Sequence, residues 1–385
     1  MKCSKAANAV MPSLTRKLFN MAQEIGDDVI NLTLGDPDVL PPIEIREAAC
    51  QAIMDGKTRY SANAGLVKTR EVYSDFVKRE YGISVNPYEN IIVTVGGMEA
   101  LYLSLISIID QNDEVIILGP YYVNYLQMIR MCGGKAVCIN RLGKSDNELI
   151  KEIEEKTTEK TVAIIINSPC NPVGDILSDM VLNGIAKICC KHELWCISDE
   201  VYNSLVFDDK KVSSIYHKEK MSNRTIIIDS CSKRFAMTGW RIGFAIGPSE
   251  IISNMVKLQE NVAACAPLPS QYAAIKAYSG DVQYGYIQEE YQKRRDLVYS
   301  SLKDIPGLNP IYPEATLYCY VDISGTHLNA EEFAYRLLEK NHVAVVPGNS
   351  YGEEYSHYIR IAFTLNEEKL QNAMKRISQF CRNLM

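Results

Sequence analysis

The sequence lacks several features that would assign the chain to other classes of protein. Its 385 residues carry a formal net charge of −6, so no basic surface indicates a nucleic acid or an anionic membrane as a partner. The longest apolar stretch, residues 91–109, is interrupted by Gly96 and Gly97, and we therefore expect no membrane-spanning helix. Internal repeats and low-complexity linkers are also absent.

Cysteine is plentiful, but the spacing that many metal centres and redox pairs use is missing. The chain has 12 cysteines and no Cys-x-x-Cys pair. Several of them lie in apolar runs, where a reduced cysteine packs as a small hydrophobic residue. The first ten residues are too short and too polar for a secretory signal. We therefore expect a cytoplasmic protein with reduced cysteines and no metal site.

Strand-like runs alternate with helix-length segments through the middle of the chain, as in α/β proteins. Several of the runs are rich in Ile and Val with little polar alternation, which is typical of strands covered on both faces. The sequence therefore predicts a mostly parallel seven-stranded sheet flanked by helices, with strands at residues 91–95, 114–118, 135–139, 162–167, 194–198, 225–229 and 242–246.

The pattern changes after about residue 282, where the sequence predicts a smaller α+β domain. Helices are predicted at 283–302, 330–340 and 367–383, and strands at 317–321, 343–346 and 359–363. The proline-rich piece at 37–42 marks a turn region near the start of the chain. We predict a large domain over 45–282 and a small domain formed by 1–44 together with 283–385.

The segment from Ser230 to Arg241 carries the most informative chemistry. Lys233 comes shortly after a predicted strand and directly after Ser232, and Arg241 follows eight positions later. A lysine amine can form a Schiff base with a carbonyl, and hydroxyls plus a guanidinium suit a phosphate. Pyridoxal phosphate supplies both groups. In isolation, a solvated lysine and an ion-paired arginine would be the better explanation of this segment, so the other motifs of the chain have to decide.

Further motifs follow other predicted strands, where parallel sheets bind their ligands. Gly96-Gly97 joins a strand to a helix and either cradles an anion or forms a tight turn. Asn171 lies on a loop fixed by two prolines and either donates to a phenolate-like oxygen or forms an Asx-type turn. Asp199 ends another strand, where it either pairs with a protonated ring nitrogen or caps a helix.

Two tyrosines and an arginine complete the candidate set. Tyr202 lies three residues after Asp199, within reach of a neighbouring ring oxygen. Tyr122 follows a predicted strand and either stacks on a flat ring or, like most of the 23 tyrosines, is a packing residue. Arg360 lies inside an apolar strand, and a buried arginine needs a partner. That partner is either an internal acid or the carboxylate of a substrate held by a bidentate contact.

Taken together, these motifs resemble those of the class I/II aminotransferases, in the fold-type I family of pyridoxal-phosphate-dependent enzymes. The resemblance runs almost end to end, from the segment 31–38 to the Arg360 strand. It includes a Tyr-x-x-x-x-Gly segment from Tyr60 to Gly65, and at least six motifs occur in the order that the family has. It implies transfer of an amino group from an L-amino acid to a 2-oxo acid by a ping-pong mechanism.

The resemblance also implies a role for each residue. Lys233 would hold pyridoxal phosphate covalently and move the α-proton of the substrate, and Asp199 would pair with the pyridine nitrogen. The remaining cofactor contacts would come from Asn171 and Tyr202 at the ring hydroxyl oxygen, Tyr122 on the ring face, and Gly97, Met98, Ser230, Ser232 and Arg241 at the phosphate.

Substrate and subunit contacts follow from the same resemblance. Arg360, with Gly35 and Asn171, would bind the substrate α-carboxylate. A homodimer is implied, in which Tyr60 reaches the phosphate of the neighbouring subunit. The donor stays open among aspartate, aromatic and small neutral amino acids, because residues 261–270 lack the second arginine of dicarboxylate-specific members. Arg16 and Lys17 are candidates for binding a side-chain carboxylate.

Two alternatives belong to other functional classes. A pyridoxal-phosphate-dependent C–S β-lyase or a cyclase would use the same lysine and the same arginine on the same scaffold. A non-catalytic, aminotransferase-like regulator would carry an N-terminal DNA-binding extension. Only about 30 residues precede Gly35 and the chain is acidic, which argues against the regulator.

Overall fold

The computed structural model describes residues 3–4, 7–8, 10, 14–26 and 28–384. The strands among these residues are β1 (Ile30–Asn31), β2 (Ile91–Thr94), β3 (Glu114–Gly119), β4 (Lys135–Asn140), β5 (Thr161–Asn167), β6 (Trp195–Asp199), β7 (Thr225–Ser230), β8 (Gly243–Ile246), β9 (Asn309–Pro310), β10 (Tyr318–Asp322), β11 (Val343–Ala344), β12 (Val346–Pro347) and β13 (Tyr358–Ala362).

The helices over the same described residues are of ordinary globular length. They are α1 (Leu14–Ile25), α2 (Ile43–Met54), α3 (Val67–Tyr81), α4 (Gly96–Ile106), α5 (Asn124–Met131), α6 (Asp146–Lys156), α7 (Asp179–Lys191), α8 (Cys231–Arg234), α9 (Ser249–Val262), α10 (Leu268–Tyr278), α11 (Gly285–Lys303), α12 (Ala330–Asn341) and α13 (Glu367–Arg382). None of them is both long enough and apolar enough to cross a bilayer.

The predicted seven-stranded sheet is confirmed. Its order is β2-β8-β7-β6-β5-β3-β4, and β8 is the one strand that runs antiparallel to its neighbours. The central strands are buried on both faces, as the Ile-Ile-Ile runs at 164–166 and 226–228 predict. Helices cover both faces, so this part of the chain is a three-layer α/β structure.

The carboxyl ends of β5, β6 and β7 meet at one edge of this sheet. Asn167 pairs in register with Asp199, and Asp199 pairs with Ile228, which lies two residues before Ser230. The polar residues that end these strands therefore lie side by side. This edge is where ligands of parallel sheets bind.

A second core joins the two ends of the chain. β12, β13, β10 and β9 form an antiparallel sheet, and β1 pairs in parallel with β11. Leu18, Ile30 and Leu32 pack in the same hydrophobic cluster as α11, α12 and α13. This α+β unit is the one predicted, although the boundaries at 1–44, 45–282 and 283–385 stay a prediction, and residues 1–2, 5–6, 9, 11–13, 27 and 385 lie outside the described residues.

One predicted strand, 343–346, is two short strands. Residues 343–344 pair with β1, whereas 346–347 pair with β13. The chain changes partner between them, which a continuous apolar run does not reveal.

Gly243 shows how closely β8 approaches the start of α4. A Cβ atom at Gly243 would lie 2.5 Å from the carbonyl carbon of Gly96 and 2.6 Å from the amide nitrogen of Gly97. Both neighbours are backbone atoms, which cannot turn aside as a side chain can. The absence of a side chain at Gly243 therefore sets the distance between β8 and the Gly96-Gly97 turn.

We predict that Gly243→Ala lowers the free energy of unfolding by about 1–3 kcal/mol, because the added methyl group overpacks against backbone. Chemical denaturation measures the change. Gly239→Ala is the matched control, since a Cβ atom there would have no neighbour within 4 Å. Equal stability of the two variants would contradict the close approach of β8 to α4.

Candidate active site

Two adjoining cavities open at the carboxyl edge of the large sheet. The smaller has a volume of about 220 Å³ and the larger about 570 Å³. Both are lined by Tyr122, Asn171, Lys233, Thr238 and Tyr318. Lys233 therefore lies on the boundary between two spaces, and a ligand in either one reaches its amine.

The lysine is carried by a short turn immediately after a buried strand. β7 ends at Ser230 and α8 begins at the next residue. The Lys233 Nζ donates a hydrogen bond of 2.6 Å to the carbonyl oxygen of Gly35. No carboxylate of the described residues lies within ion-pair distance of it. Its amine thus has a neutral partner that a reacting group can replace.

A buried polar cluster holds this turn from behind. The Asp229 carboxylate accepts hydrogen bonds from the Ser230 amide at 2.7 Å and from the Tyr73 hydroxyl at 3.0 Å. Arg234, at the end of the turn, lies 3.9 Å from the same carboxylate. Both Asp229 and Arg234 are buried. The two ends of the lysine-bearing turn are therefore tied to one carboxylate.

The smaller cavity contains a cradle suited to an anion. Helix α4 begins at Gly96-Gly97, and Gly97 lines the cavity together with Met98, Ser230 and Ser232. Unpaired N–H groups and the positive end of the helix dipole favour an anion at such a site. The residues here match those that the sequence predicts for a phosphate.

Arg241 completes the cradle. Its backbone has φ 52°, an uncommon conformation for a side-chain-bearing residue. Its Nη1 donates to the carbonyl oxygen of Thr238 at 2.7 Å, and its Nη2 lies 3.4 Å from that of Val95. A Cβ atom at Gly96 would collide with this guanidinium. Across the described residues no acid pairs with Arg241, so its charge is available to a ligand.

Asp199 lies on the floor of the smaller cavity. Its Oδ2 accepts a hydrogen bond of 2.5 Å from the Tyr125 hydroxyl. Burial raises the pKa of Asp199 to about 6, and the hydrogen bond from Tyr125 opposes that rise. A buried carboxylate with neutral donors alone is costly, and a cationic N–H group beside it would restore its ordinary acidity.

The predicted ring contacts border the same space. The main-chain N–H of Asn171 donates a hydrogen bond of 2.8 Å to the side-chain oxygen of Asn167. The Tyr202 hydroxyl lies 3.1 Å from the Tyr318 hydroxyl. Tyr122 lines both cavities, and burial raises its pKa to about 12. Tyr122 and Tyr202, whose pKa values burial raises, therefore keep their protons near neutral pH and can donate hydrogen bonds.

Arg360 lies deep in the larger cavity, 5% exposed. Its Nη1 donates to the Asn171 side chain at 3.1 Å, and its Nη2 donates to the carbonyl oxygen of Thr33. Its Nε has no partner among the described residues. No acid in the described part of the chain forms an ion pair with Arg360, so the internal salt bridge that the sequence leaves open is not found. The guanidinium instead lies over the ring of Tyr318, 4.2 Å from the centroid.

The structure places every predicted site residue at the two cavities except Tyr60 and Lys17. Tyr60 lies outside both cavities and is 87% exposed. Gly35 lines the larger cavity, and so does Arg16 on α1. The ammonium of Lys17 instead lies over the ring of Tyr335, 5.5 Å from its centroid. Of the two N-terminal cations, Arg16 is the one beside the substrate space.

Sequence reasoning missed several residues that shape the site. Tyr318 lines both cavities, Tyr125 bonds to Asp199, and Asn167 joins the ends of two strands by donating to the carbonyl oxygen of Asp199 at 3.0 Å. Asn167 could have been identified from the sequence, because it is the polar residue that ends an apolar strand. Tyr125 and Tyr318 are 2 of 23 tyrosines, and no local pattern distinguishes them from packing residues.

The charged residues that line the two cavities indicate which ligands the site can bind. Four cations line them, namely Arg16, Lys233, Arg241 and Arg360, against the two acids Asp36 and Asp199. The described part of the site therefore has an excess of positive charge. It suits one anionic group at Arg241 and a second at Arg360, with a reactive amine between them.

Comparison with known proteins gives a consistent result. The sequence profile of the family described as aminotransferase class I and II matches residues 27–377. An aspartate aminotransferase of Pyrococcus abyssi is 38% identical, with 99% of each chain covered. An aromatic-amino-acid aminotransferase of Thermococcus litoralis is 36% identical, with 98% of each chain covered.

Solved structures show the same similarity. The aspartate aminotransferase of Thermus thermophilus, solved with maleate, superimposes with a TM-score of 0.92 at 33% identity, covering 98% of this chain and 99% of that one. An aromatic aminotransferase of Pyrococcus horikoshii superimposes with a TM-score of 0.89 at 36% identity, covering 95% of this chain and 100% of that one.

The burial of Asp199 predicts a pH-dependent stability in the ligand-free protein. Its pKa is about 6 when folded and about 4 in an unfolded chain. Between these values the folded state binds more protons, so the contribution of Asp199 to the free energy of unfolding falls as pH rises. From pH 4.5 to pH 7.5, the free energy of unfolding of Asp199→Asn should therefore rise by about 2 kcal/mol relative to that of the parent.

Denaturant titration at several pH values measures this difference. Asp75→Asn is the control, because Asp75 is exposed, and its difference from the parent should stay flat across the same range. A flat difference for Asp199→Asn as well would show that burial does not raise the pKa of that carboxyl.

Proposed function

This chain belongs to the class I and II aminotransferase family, and from that premise we propose that it transfers the amino group of an L-amino acid to a 2-oxo acid with pyridoxal phosphate held at Lys233. One observation carries the proposal. The amine of Lys233 lies between an anion cradle at Arg241 and a buried guanidinium, Arg360, that has no acid partner among the described residues. A phosphate and a carboxylate would then bind on opposite sides of one amine.

The residues present fit pyridoxal phosphate. Arg241, Gly97, Met98, Ser230 and Ser232 would hold the phosphate. Asp199 would face the pyridine nitrogen, Asn171 and Tyr202 the ring hydroxyl oxygen, and Tyr122 the ring face. When bound, this cofactor supplies an electron sink for the α-carbon of an attached amino acid.

Asp199 would keep the proton on the ring nitrogen. Its burial raises its pKa, and a cationic N–H group within hydrogen-bond distance acts in the opposite direction, favouring the carboxylate. The hydrogen bond from Tyr125 holds the carboxylate in one orientation. The acid and the ring nitrogen thus stabilise each other's charge inside the buried floor of the site.

Lys233 would take the α-proton at its Nζ and return it one step later. Such a role requires that the amine be neutral when it takes the proton. The contact with the Gly35 carbonyl oxygen gives the amine a fixed resting position at the boundary of the two cavities. From there it reaches both the cofactor space and the substrate space.

Arg360 would bind the substrate α-carboxylate. Its present partners are a side-chain amide and a main-chain carbonyl, both neutral. A carboxylate offers two charged oxygens in the geometry of the guanidinium fork. Asn171 and Gly35 border the same space. Fixing this carboxylate sets the position of the neighbouring α-carbon beside Lys233.

The donor amino acid is not narrowed to one class by the site. The larger cavity has Arg16 for a side-chain carboxylate, and Tyr122 and Tyr351 for an aromatic ring. Relatives in both classes are similarly close in sequence. Aspartate, aromatic and small neutral amino acids therefore all stand as candidate donors.

We also propose a cytoplasmic homodimer in which Tyr60 contacts the phosphate of the partner subunit. Tyr60, Met54 and Leu40 are 87%, 82% and 66% exposed, and exposed apolar side chains in neighbouring segments are typical of an interface. All twelve cysteines are free, as expected in a reducing compartment.

A panel of L-amino acids tests the proposed reaction. With 2-oxoglutarate as acceptor, at least one donor should yield glutamate and the matching 2-oxo acid in equal amounts, with ping-pong kinetics. Without an acceptor, each active site should release no more than one equivalent of oxo acid. Chromatography of both products gives the stoichiometry.

Lysine variants serve as controls for the panel. Lys233→Ala should show no turnover and no cofactor attachment that borohydride makes permanent, whereas Lys257→Ala, at an exposed position, should keep both. Repeated release of pyruvate and ammonia without an acceptor would instead show a β-lyase. An unchanged borohydride-stable attachment in Lys233→Ala would overturn the assignment of the lysine.

A further inference from the structure

Tyr318 lies between the two cavities and is buried, 4% exposed. It begins strand β10, and its neighbour two residues on, Tyr320, pairs directly with Arg360 on β13. Since residues two apart on a strand project from the same face, Tyr318 and Arg360 share one face of the small sheet. No motif in the sequence draws attention to this tyrosine.

The ring of Tyr318 contacts the candidate carboxylate-binding group. The guanidinium carbon of Arg360 lies 4.2 Å from its centroid, closer than the 5.4 Å to the ring of Tyr351. Because no acid of the described residues neutralises Arg360, the face of an aromatic ring is its main electrostatic partner besides neutral oxygens. The ring also limits the directions in which the guanidinium can turn.

The hydroxyl of Tyr318 contacts the candidate cofactor-binding group. It lies 3.1 Å from the hydroxyl of Tyr202, and the two rings meet edge to face with centroids 6.0 Å apart. Each hydroxyl offers one proton. If Tyr318 donates to Tyr202, the proton of Tyr202 is free to point into the smaller cavity.

We propose that Tyr318 is a positioning residue that links the two halves of the site. Its ring fixes Arg360 for the substrate carboxylate, and its hydroxyl orients the hydroxyl of Tyr202 toward the ring oxygen of the cofactor. The inference rests on the proposed function, because it takes the roles of Arg360 and Tyr202 from it.

The surroundings support a donating role for the hydroxyl of Tyr202. The charged and titratable groups that line the two cavities beside the hydroxyls of Tyr202 and Tyr318 are Tyr122, Asp199, Lys233, Arg241, Arg16, Asp36, Tyr351 and Arg360. Burial raises the pKa of Tyr202 far above neutrality, with Tyr318 and Tyr122 adding to the rise and Arg360 opposing it. Tyr202 thus remains a proton donor across the working pH range.

Two substitutions separate the hydroxyl from the ring. In the holoenzyme, Tyr318→Phe removes only the hydroxyl. The pH midpoint of the lysine-bound cofactor's visible band should rise by about 0.5–1 pH unit, because Tyr202 donates less well to the deprotonated ring oxygen. The KM for the amino acid should stay within about twofold, because the ring over Arg360 remains.

Tyr318→Leu removes the ring as well. It should show the same rise in midpoint and, in addition, a KM raised by about 3- to 30-fold, from loss of the cation–π contact. If Tyr318→Leu does not fold, the pH midpoints of Tyr318→Phe and Tyr202→Phe still test the role of the Tyr318 hydroxyl. The Tyr202→Phe/Tyr318→Phe double variant should titrate like Tyr202→Phe alone, because both act through one hydrogen bond.

Tyr320→Phe is the matched control. Tyr320 lies on the same strand and is fully buried, and its hydroxyl has no hydrogen-bond partner among the described residues. Removing that hydroxyl should change neither the midpoint nor the KM. A purely structural role for Tyr318 would lower the stability of Tyr318→Phe without moving the midpoint.

An unchanged midpoint in Tyr318→Phe, or a shift that adds to that of Tyr202→Phe, would overturn the hydroxyl part of the inference. Equal KM values for Tyr318→Phe and Tyr318→Leu would overturn the part that concerns Arg360. If the parent protein itself shows no lysine-bound visible band, the proposed function fails first, so the two failures are distinguishable.

Discussion

A buried guanidinium that no acid in the described part of the chain neutralises is the constraint on which this site depends. Removing the charge of Arg360 from water costs several kcal/mol, and the described residues repay it only with a side-chain amide, a main-chain carbonyl and aromatic faces. Arg241, partly buried beside the start of α4, likewise has no acid partner among the described residues. The amine of Lys233 lies between these two cations, so the charge pattern also fixes where chemistry takes place.

Much of the fold could be predicted because hydrophobic periodicity and caps are local signals. Helix α6, in one of the helix-length segments between the predicted strands, begins with a capping box at Ser145. By contrast, α2 and α9 begin after Pro42 and Pro248, without any side-chain cap, and the sequence pattern predicts no helix there. The prediction of one continuous strand at 343–346 was wrong, because its two halves pair with strands from opposite ends of the chain.

The candidate site divides in the same way. Lys233, Asp199 and Asn171 could be singled out because each follows a buried strand, and the carboxyl ends of parallel strands converge whatever the rest of the chain does. Tyr125 and Tyr318 could not, because their importance lies in contacts with residues 74 and 116 positions away. Tyr60 illustrates the other limit. It was predicted from a family motif, and in one subunit it lies exposed, outside both cavities.

The most direct test of this account is the kcat/KM of Arg360→Met for the best amino-acid donor. The account predicts a loss of about 100-fold or more, because the substrate carboxylate loses its charged partner, in a protein that still folds and still binds the cofactor at Lys233. Arg336→Met, at an exposed arginine paired with Glu332, should retain the parent value. A kcat/KM for Arg360→Met within a few fold of the parent would contradict the account, since the buried cation would then have no ligand to bind.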